Sequence, residues 1–232
     1  MELTEGIHYI GGKEGGWVRA FLVEDGRDLT LIDTLYPFDP SVVLAEIRRL
    51  GRSPSDVKRI VLTHGHRSHL GGLAALKRAT GAKVLCHEWE ADIIAGNRKA
   101  QPVSIIPRRP FRVYIPFQLG AALGLGAHPP CPVDETLADD AEIGGLRVLH
   151  APGHTPGHLA FYSAERGVLI AGDAIATWPR FEAGWPVFTL NWKQHRASIQ
   201  RMAALEPKLV GVGHGNPITE NAAERLHSLV EY

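Results

Sequence analysis

The chain has 232 residues, 25 basic and 25 acidic side chains, a formal net charge of zero and only two cysteines. That length suits one large domain or two small ones, and no Pro/Ser-rich linker divides it, so a single domain over residues 1–232 is expected. The balanced charge argues against nucleic acid or an anionic membrane as partner, and two cysteines give no disulfide framework.

Short strands are predicted at Gly6 to Ile10, Val18 to Val23 and Leu29 to Asp33, with Glu24-Asp25-Gly26 as the turn between the last two. Ser41 to Leu50 reads as an amphipathic helix, with Val43, Leu44, Ile47 and Leu50 on one face and Gly51 as its stop. A strand from Val57 to Leu62 leads into Thr63-His64-Gly65-His66-Arg67-Ser68-His69, and a helix is predicted over Leu70 to Thr80. The strand Lys83 to Cys86 follows, with Cys86 as a small core residue, and then a short helix around Glu88 to Ala95. Residues 97–135 are proline-dense and apolar without clear periodicity, which fits a cover beside a cleft or a subunit contact, so a homodimer stays open. A β region from Thr136 to Ile170, a helix from Lys193 to Leu205, a strand at Leu209 to Val212 and a helix from Glu220 to Val230 complete an alternating α/β pattern. The first residues, Met1 to Glu5, lack the layout of a signal peptide, and no apolar run approaches the ~20 residues that span a bilayer. A cytoplasmic protein acting on a small molecule is expected.

Three imidazoles within 64–69 carry the chemistry, because neutral imidazole is the commonest side-chain ligand for zinc. In extended chain His64 and His66 point the same way and can close on one ion, while His69 can reach a second. Three further strands end in metal-capable side chains: His154 in Ala151-Pro152-Gly153-His154, Asp173 after Leu169-Ile170-Ala171-Gly172, and His214 after Leu209 to Gly213. Ligands at strand ends sit on a rigid scaffold beside open loops. The remaining histidines, His8, His87, His128, His150, His195 and His227, are read as ordinary surface or core residues. Of these, His87 merits watching because it follows a strand that ends near the site.

This series resembles the metallo-β-lactamase fold superfamily, whose HxHxDH motif is followed by a distant His, a bridging Asp and a final His. The matching positions are His64, His66 and His69, then His154, Asp173 and His214, and Leu31-Ile32-Asp33-Thr34 resembles the family's strand-ending Asp. The resemblance implies a four-layer αββα sandwich of two mixed sheets with helices on the outer faces and metals in a cleft at one edge. It assigns His64, His66 and His154 to a first site and His69 and His214 to a second, with Asp173 bridging. His158 is then structural. The chain departs from the pattern at Ser68, which stands where the family has a ligand aspartate. Asp173 and Ser68 are therefore the candidate catalytic positions, and the second ion is expected to bind more weakly. Arg67 is expected to turn outward or toward Asp33.

A zinc ion lowers the pKa of bound water to about 7 and polarises a carbonyl, so ester, lactone, thioester or amide cleavage needs no separate nucleophile. One or two zinc ions are the expected cofactors. The chain ends about one helix after His214, which argues against a glyoxalase II-type enzyme with its helical glutathione-holding domain. Trp178, Phe181, Trp185 and Phe188 follow Asp173 and are expected to form a hydrophobic substrate wall. Two alternatives belong to other classes. An iron dioxygenase could use His64, His154 and Asp173, and the serine leaves room for a non-catalytic metal-binding sensor or scaffold.

Overall fold

The computed structural model describes residues 1–100 and 126–230, together with 115, 119, 120, 123 and 124. The expected cover over 97–135 falls largely outside the described residues. In the first sheet, β1 (Glu2–Thr4), β2 (Ile7–Ile10), β3 (Ala20–Asp25), β4 (Asp28–Ile32), β5 (Val57–Val61), β6 (Lys83–Cys86) and β7 (Glu135–Thr136) lie side by side in chain order. Strands β1 to β4 are antiparallel neighbours, and β4 to β7 are parallel. The second sheet has the order β12-β11-β10-β9-β8, built from β8 (Glu142–Ile143), β9 (Leu146–His150), β10 (Leu159–Ser163), β11 (Val168–Ile170) and β12 (Leu209–Gly211). Only its β11–β12 pair is parallel.

Alternation along each strand builds the layers, because neighbouring side chains leave opposite faces of a sheet. Phe21, Val23, Ile32, Val61 and Leu85 of the first sheet meet Leu146, Val148, Phe161, Val168 and Ile170 of the second in a buried core between them. Ala20, Leu22, Leu29 and Leu31 face outward onto α1 (Ser41–Arg49) and α3 (Leu73–Thr80), through Val43, Ile47, Leu73 and Leu76. Leu149, Ala160, Leu169 and Val210 likewise face α5 (Trp192–Ala203) and α6 (Ala222–Ser228), through Ile199, Met202 and Leu226. The result is the αββα sandwich that the resemblance implies.

One local expectation is corrected. Instead of a continuous helix over Leu70 to Thr80, the chain forms α2 (Arg67–Leu70), a two-glycine break and then α3. Gly71 and Gly72 donate their N–H groups to the carbonyls of Leu35 and Thr34, at 2.9 and 3.3 Å, rather than continuing the helical ladder. A Cβ on Gly71 would come within 2.0 Å of the Tyr36 oxygen, so the approach requires glycine. This break presses the histidine segment onto the end of β4. α4 (Glu88–Ile94) follows β6 closely, as expected.

Phe161 lies wholly inside the inter-sheet core. Phe161→Ala should destabilise the protein by about 3–5 kcal/mol, the usual cost of a large buried aromatic plus its cavity. Urea unfolding measures this, and a loss below ~1 kcal/mol would contradict the packing described.

Candidate metal centre

The ends of β5, β9, β11 and β12 bring their histidines and aspartate to one edge of the sandwich. His64, His66, His154 and Asp173 form one group and His69, Asp173 and His214 a second, with the ligand atoms of each group within 4.8 Å of one another. Asp173 belongs to both groups, and every member is buried. His154 Nε2 faces His66 Nδ1 at 3.0 Å. Asp173 Oδ2 lies 3.8 Å from His64 Nε2, 3.5 Å from His154 Nε2 and 3.3 Å from His214 Nε2. His69 Nε2 approaches Asp173 Oδ1 at 3.2 Å without hydrogen-bond geometry, and both atoms are buried with no hydrogen-bond partner, as is His64 Nε2. Buried polar atoms converging without partners are costly unless a cation completes them. The donor set fits a divalent metal ion.

The far nitrogen of each ring explains the orientation. His69 Nδ1–H donates to Asp33 Oδ2 at 2.8 Å. Asp33 Oδ2 also accepts the Thr63 hydroxyl at 2.8 Å, and that hydroxyl accepts from His64 Nδ1–H at 2.9 Å. His214 Nδ1–H donates to the Gly16 carbonyl at 2.7 Å. In all three rings Nε2 is left as the lone pair facing inward, as carboxylate–histidine–metal arrangements require. Thr34 fixes the backbone behind His69, its hydroxyl donating to the His69 carbonyl at 2.6 Å. Gly213 lets β12 end beneath Asp173, since a Cβ there would stand 1.9 Å from Asp173 Oδ1.

Ser68 is half-buried on α2, and among the described residues no further His, Cys, Asp or Glu joins the second group. Arg67 turns outward, its guanidinium lying between the Tyr36 and Phe38 rings at 4.2 and 4.0 Å from their centroids, and it does not turn to Asp33. His158 is in neither group; its Nε2 accepts the Asp173 N–H at 3.1 Å and so steadies the shared carboxylate. His87 likewise stays outside both, capping α4 by accepting the Trp89 N–H at 3.1 Å and stacking on His150. Of the expected aromatic wall, Trp185 lies against His214 with ring centroids 4.4 Å apart and planes tilted by 36°, with Trp178 and Phe188 against it. Phe181 is the correction: it packs under Arg225 and lines a groove of ≈ 400 Å³ that no member of either metal group borders.

Sequence reasoning missed several supporting residues. Arg19 is buried and donates to the Gly215 carbonyl at 2.7 Å, locking β3 to the loop of His214. His195 on α5 donates to the Ala183 carbonyl at 2.9 Å, while its backbone leaves no room for a Cβ on Gly153. Glu90 bonds to the loops of His64 and His154. None of these side chains belongs to a recognisable motif, because each acts on backbone brought near only by folding.

Electrostatics in the protein stripped of metal follow from burial. Burial, helped by neighbouring histidines, holds His64 well below the usual imidazole value, and burial does the same to His154 against the pull of Asp173. Burial takes His158 down to about 3 and His195 to about 4. At His69 burial is outweighed by Asp173 and Asp33, which raise it to about 10. Burial opposes ionisation of Asp173, but His214 and His69 hold its carboxyl well below the ordinary 3.8.

Below the ordinary imidazole value of 6.5 the unfolded chain takes up protons that four buried rings refuse. Stability therefore falls with falling pH, by about 1.4 kcal/mol per pH unit for each ring until its folded pKa is reached. His69 has the opposite sign: its contribution is complete below 6.5 and is lost as pH rises toward about 10. Chelated protein should thus show its highest Tm near pH 6.5, and metal should flatten the alkaline side because a ligating ring must be neutral. A Tm that climbs steadily from pH 6.5 to 9 after chelation would reject this.

The profile of the Metallo-beta-lactamase superfamily matches residues 16–214. The probable metallo-hydrolase YflN of Bacillus subtilis (strain 168) is 25% identical over 235 residues, covering 94% of this chain and 87% of that protein. A hydroxyacylglutathione hydrolase of Ectopseudomonas mendocina (strain ymp) is 31% identical over 174 residues, which are 73% of this chain and 50% of that protein, so the chain spans about half of that relative's length. Among solved structures, TTHA1623 in a di-iron-bound form superposes with a TM-score of 0.68 at 30% identity, covering 91% of this chain and 94% of that one. The match runs across every member of both groups, and the chain belongs to the metallo-beta-lactamase superfamily.

Proposed function

We propose that this metallo-hydrolase homologue uses zinc to cleave a small ester, lactone, thioester or amide. The observation that carries the reading is a buried carboxylate, Asp173, shared by a group holding three histidines and a group holding two, under an aromatic wall. His64, His66 and His154 with Asp173 would hold the first ion, and His69 and His214 with Asp173 the second. A bound divalent metal supplies a Lewis acid that polarises a carbonyl and acidifies water. The chain's own residues do the rest. Asp33, Thr63 and the Gly16 carbonyl keep three rings in the ligating tautomer. Trp185 lies on His214 and shields that side of the cleft from water, while Trp178 is 37% exposed and offers an apolar face to an incoming acyl or aryl group.

A second reading, iron in place of zinc, is favoured by the di-iron-bound structure of TTHA1623. Elemental analysis of purified protein together with a panel of lactones, aryl esters and thioesters separates the readings. Zinc with turnover of one carbonyl class is the expected outcome, and a glutathione thioester belongs in the panel because of the hydroxyacylglutathione hydrolase relative. Iron with oxygen uptake would favour an oxidoreductase, and activity confined to phosphodiesters would sink the carbonyl assignment.

The two groups should differ in affinity, because the second has no carboxylate at Ser68. Mild chelation should therefore remove one metal equivalent before the other, and full retention of two would count against this. Ser68→Asp adds an anionic oxygen beside His69 and should tighten the second zinc-binding step by roughly tenfold or more, the scale on which even outer-shell partners act. Zinc titration into chelated wild type and variant checks the sign; an unchanged or weaker second step rejects it.

A further inference from the structure

Glu90 is 0% exposed, in the first turn of α4 directly after the strand β6. Its carboxylate meets three donors. Oε2 accepts the Gly65 N–H at 3.0 Å, and Oε1 accepts the Gly157 N–H at 3.0 Å and the Thr155 hydroxyl at 2.6 Å. Gly65 separates His64 from His66, and Thr155 directly follows His154. One side chain thus spans the two loops that supply every histidine of the first group, although Glu90 itself lies outside both groups.

The seat is built to this carboxylate. A Cβ on Gly65 would stand 2.9 Å from Glu90 Oε2, and one on Gly157 would stand 2.8 Å from Oε1. At Gly65 and Gly157 the loops carry no side chain where they meet it, so these two amides approach the oxygens to 3.0 Å, and the Thr155 hydroxyl adds the one side-chain contact. Both backbone partners are obligate donors and call for an acceptor on each carboxyl oxygen; burial pushes the Glu90 carboxyl above its ordinary value, and the bonds from Thr155, Gly65 and Gly157 pull against that. Bonds to a charged acceptor are about twice as strong as neutral ones. The second sheet holds His154 and the first holds His64 and His66, and besides Glu90 a backbone bond from the Leu159 N–H to the Thr63 carbonyl at 2.8 Å ties the two segments. We propose that Glu90 is a positioning residue that sets this spacing, holding the two loops at the separation one ion requires. The inference rests on metal binding by the first group and is independent of which bond the site cleaves.

Glu90→Gln tests it with almost no change of shape. The amide retains one acceptor oxygen, but its NH2 must then face a backbone N–H, so one loop is released. Zn2+ is titrated into chelated full-length protein against a chromophoric chelator, the Co2+ absorption spectrum reports ligand geometry, and circular dichroism and Tm report folding. Glu90→Gln should keep the wild-type fold signature, lose about 10–100-fold in affinity for the first Zn2+ and shift the Co2+ bands. Thr155→Val removes only the hydroxyl donor and should lose less, about tenfold, in the same direction. Lower Tm with unchanged first-equivalent affinity and Co2+ spectrum would make Glu90 a core residue only and overturn the proposal. Should Glu90→Gln not fold, Thr155→Val decides on the same readouts, and unchanged affinity there overturns it. Wild type that binds neither ion would overturn the metal-centre reading itself, an outcome distinct from failure of the variants alone.

Discussion

The carboxylate of Asp33 is the fixed point on which the centre depends. It accepts from His69 directly, from the Thr63 hydroxyl and through that hydroxyl from His64, and it also takes the Thr63 backbone N–H at 2.9 Å. One buried group therefore sets the tautomer of a histidine in each metal group. Asp33 reaches this position with φ at 60°, a left-handed conformation that costs of order 1–3 kcal/mol and survives only where its surroundings over-determine it. Those surroundings are the parallel pairing of β4 with β5, which continues as the Asp33 N–H donating to Val61 at 2.9 Å, and the Thr34 clamp on His69. Local strain is held by the sheet, and the site inherits the sheet's rigidity.

The second constraint is that the centre lies between two sheets that, among the described residues, are joined by isolated bridges and not by a continuous hydrogen-bond ladder. Asp173 and His214 come from the second sheet, whereas His64, His66 and His69 come from the first. The sheets are sewn together at this edge by backbone approach. Arg19 N–H donates to Gly213 at 2.8 Å, the Arg19 guanidinium reaches Gly215, and Val18 pairs with His214. Burying an arginine is unfavourable by itself, and here burial lowers its pKa. The carbonyl and the Asn216 side chain that receive it offset the loss of water.

Charge follows from this geometry. With serine at position 68, the two groups have one carboxylate, Asp173, between them, and Arg67 is occupied by Tyr36 and Phe38. Asp33 stands one ring behind His69. It raises the basicity of the ligand without entering the ligand group, which is how an outer carboxylate tunes a metal.

Much of this was legible in the residues. Apolar alternation announced strands that alternate with helices, and His64, His66 and His69 were conspicuous because three imidazoles so close have few structural uses. The metal-capable side chains of 154, 173 and 214 could be read because each follows a β-branched or apolar run at a strand end. The helix expected from Leu70 failed at Gly71 and Gly72, since periodicity registers apolar faces and not a carbonyl from a distant strand. Phe181 was misplaced for the same reason: its nearness to Asp173 in sequence says nothing about which side of the loop it takes. Sequence by itself determined the alternation of strands and helices and the identity of the metal-capable side chains, because these depend on patterns within a few residues, while the four layers were implied by the family resemblance. Only tertiary structure decided which nitrogen of each ring faces inward and how far apart the loops stand. Those depend on Asp33, Arg19, Glu90 and the Gly16 carbonyl, whose hydrogen bonds cross sequence distances no local pattern encodes.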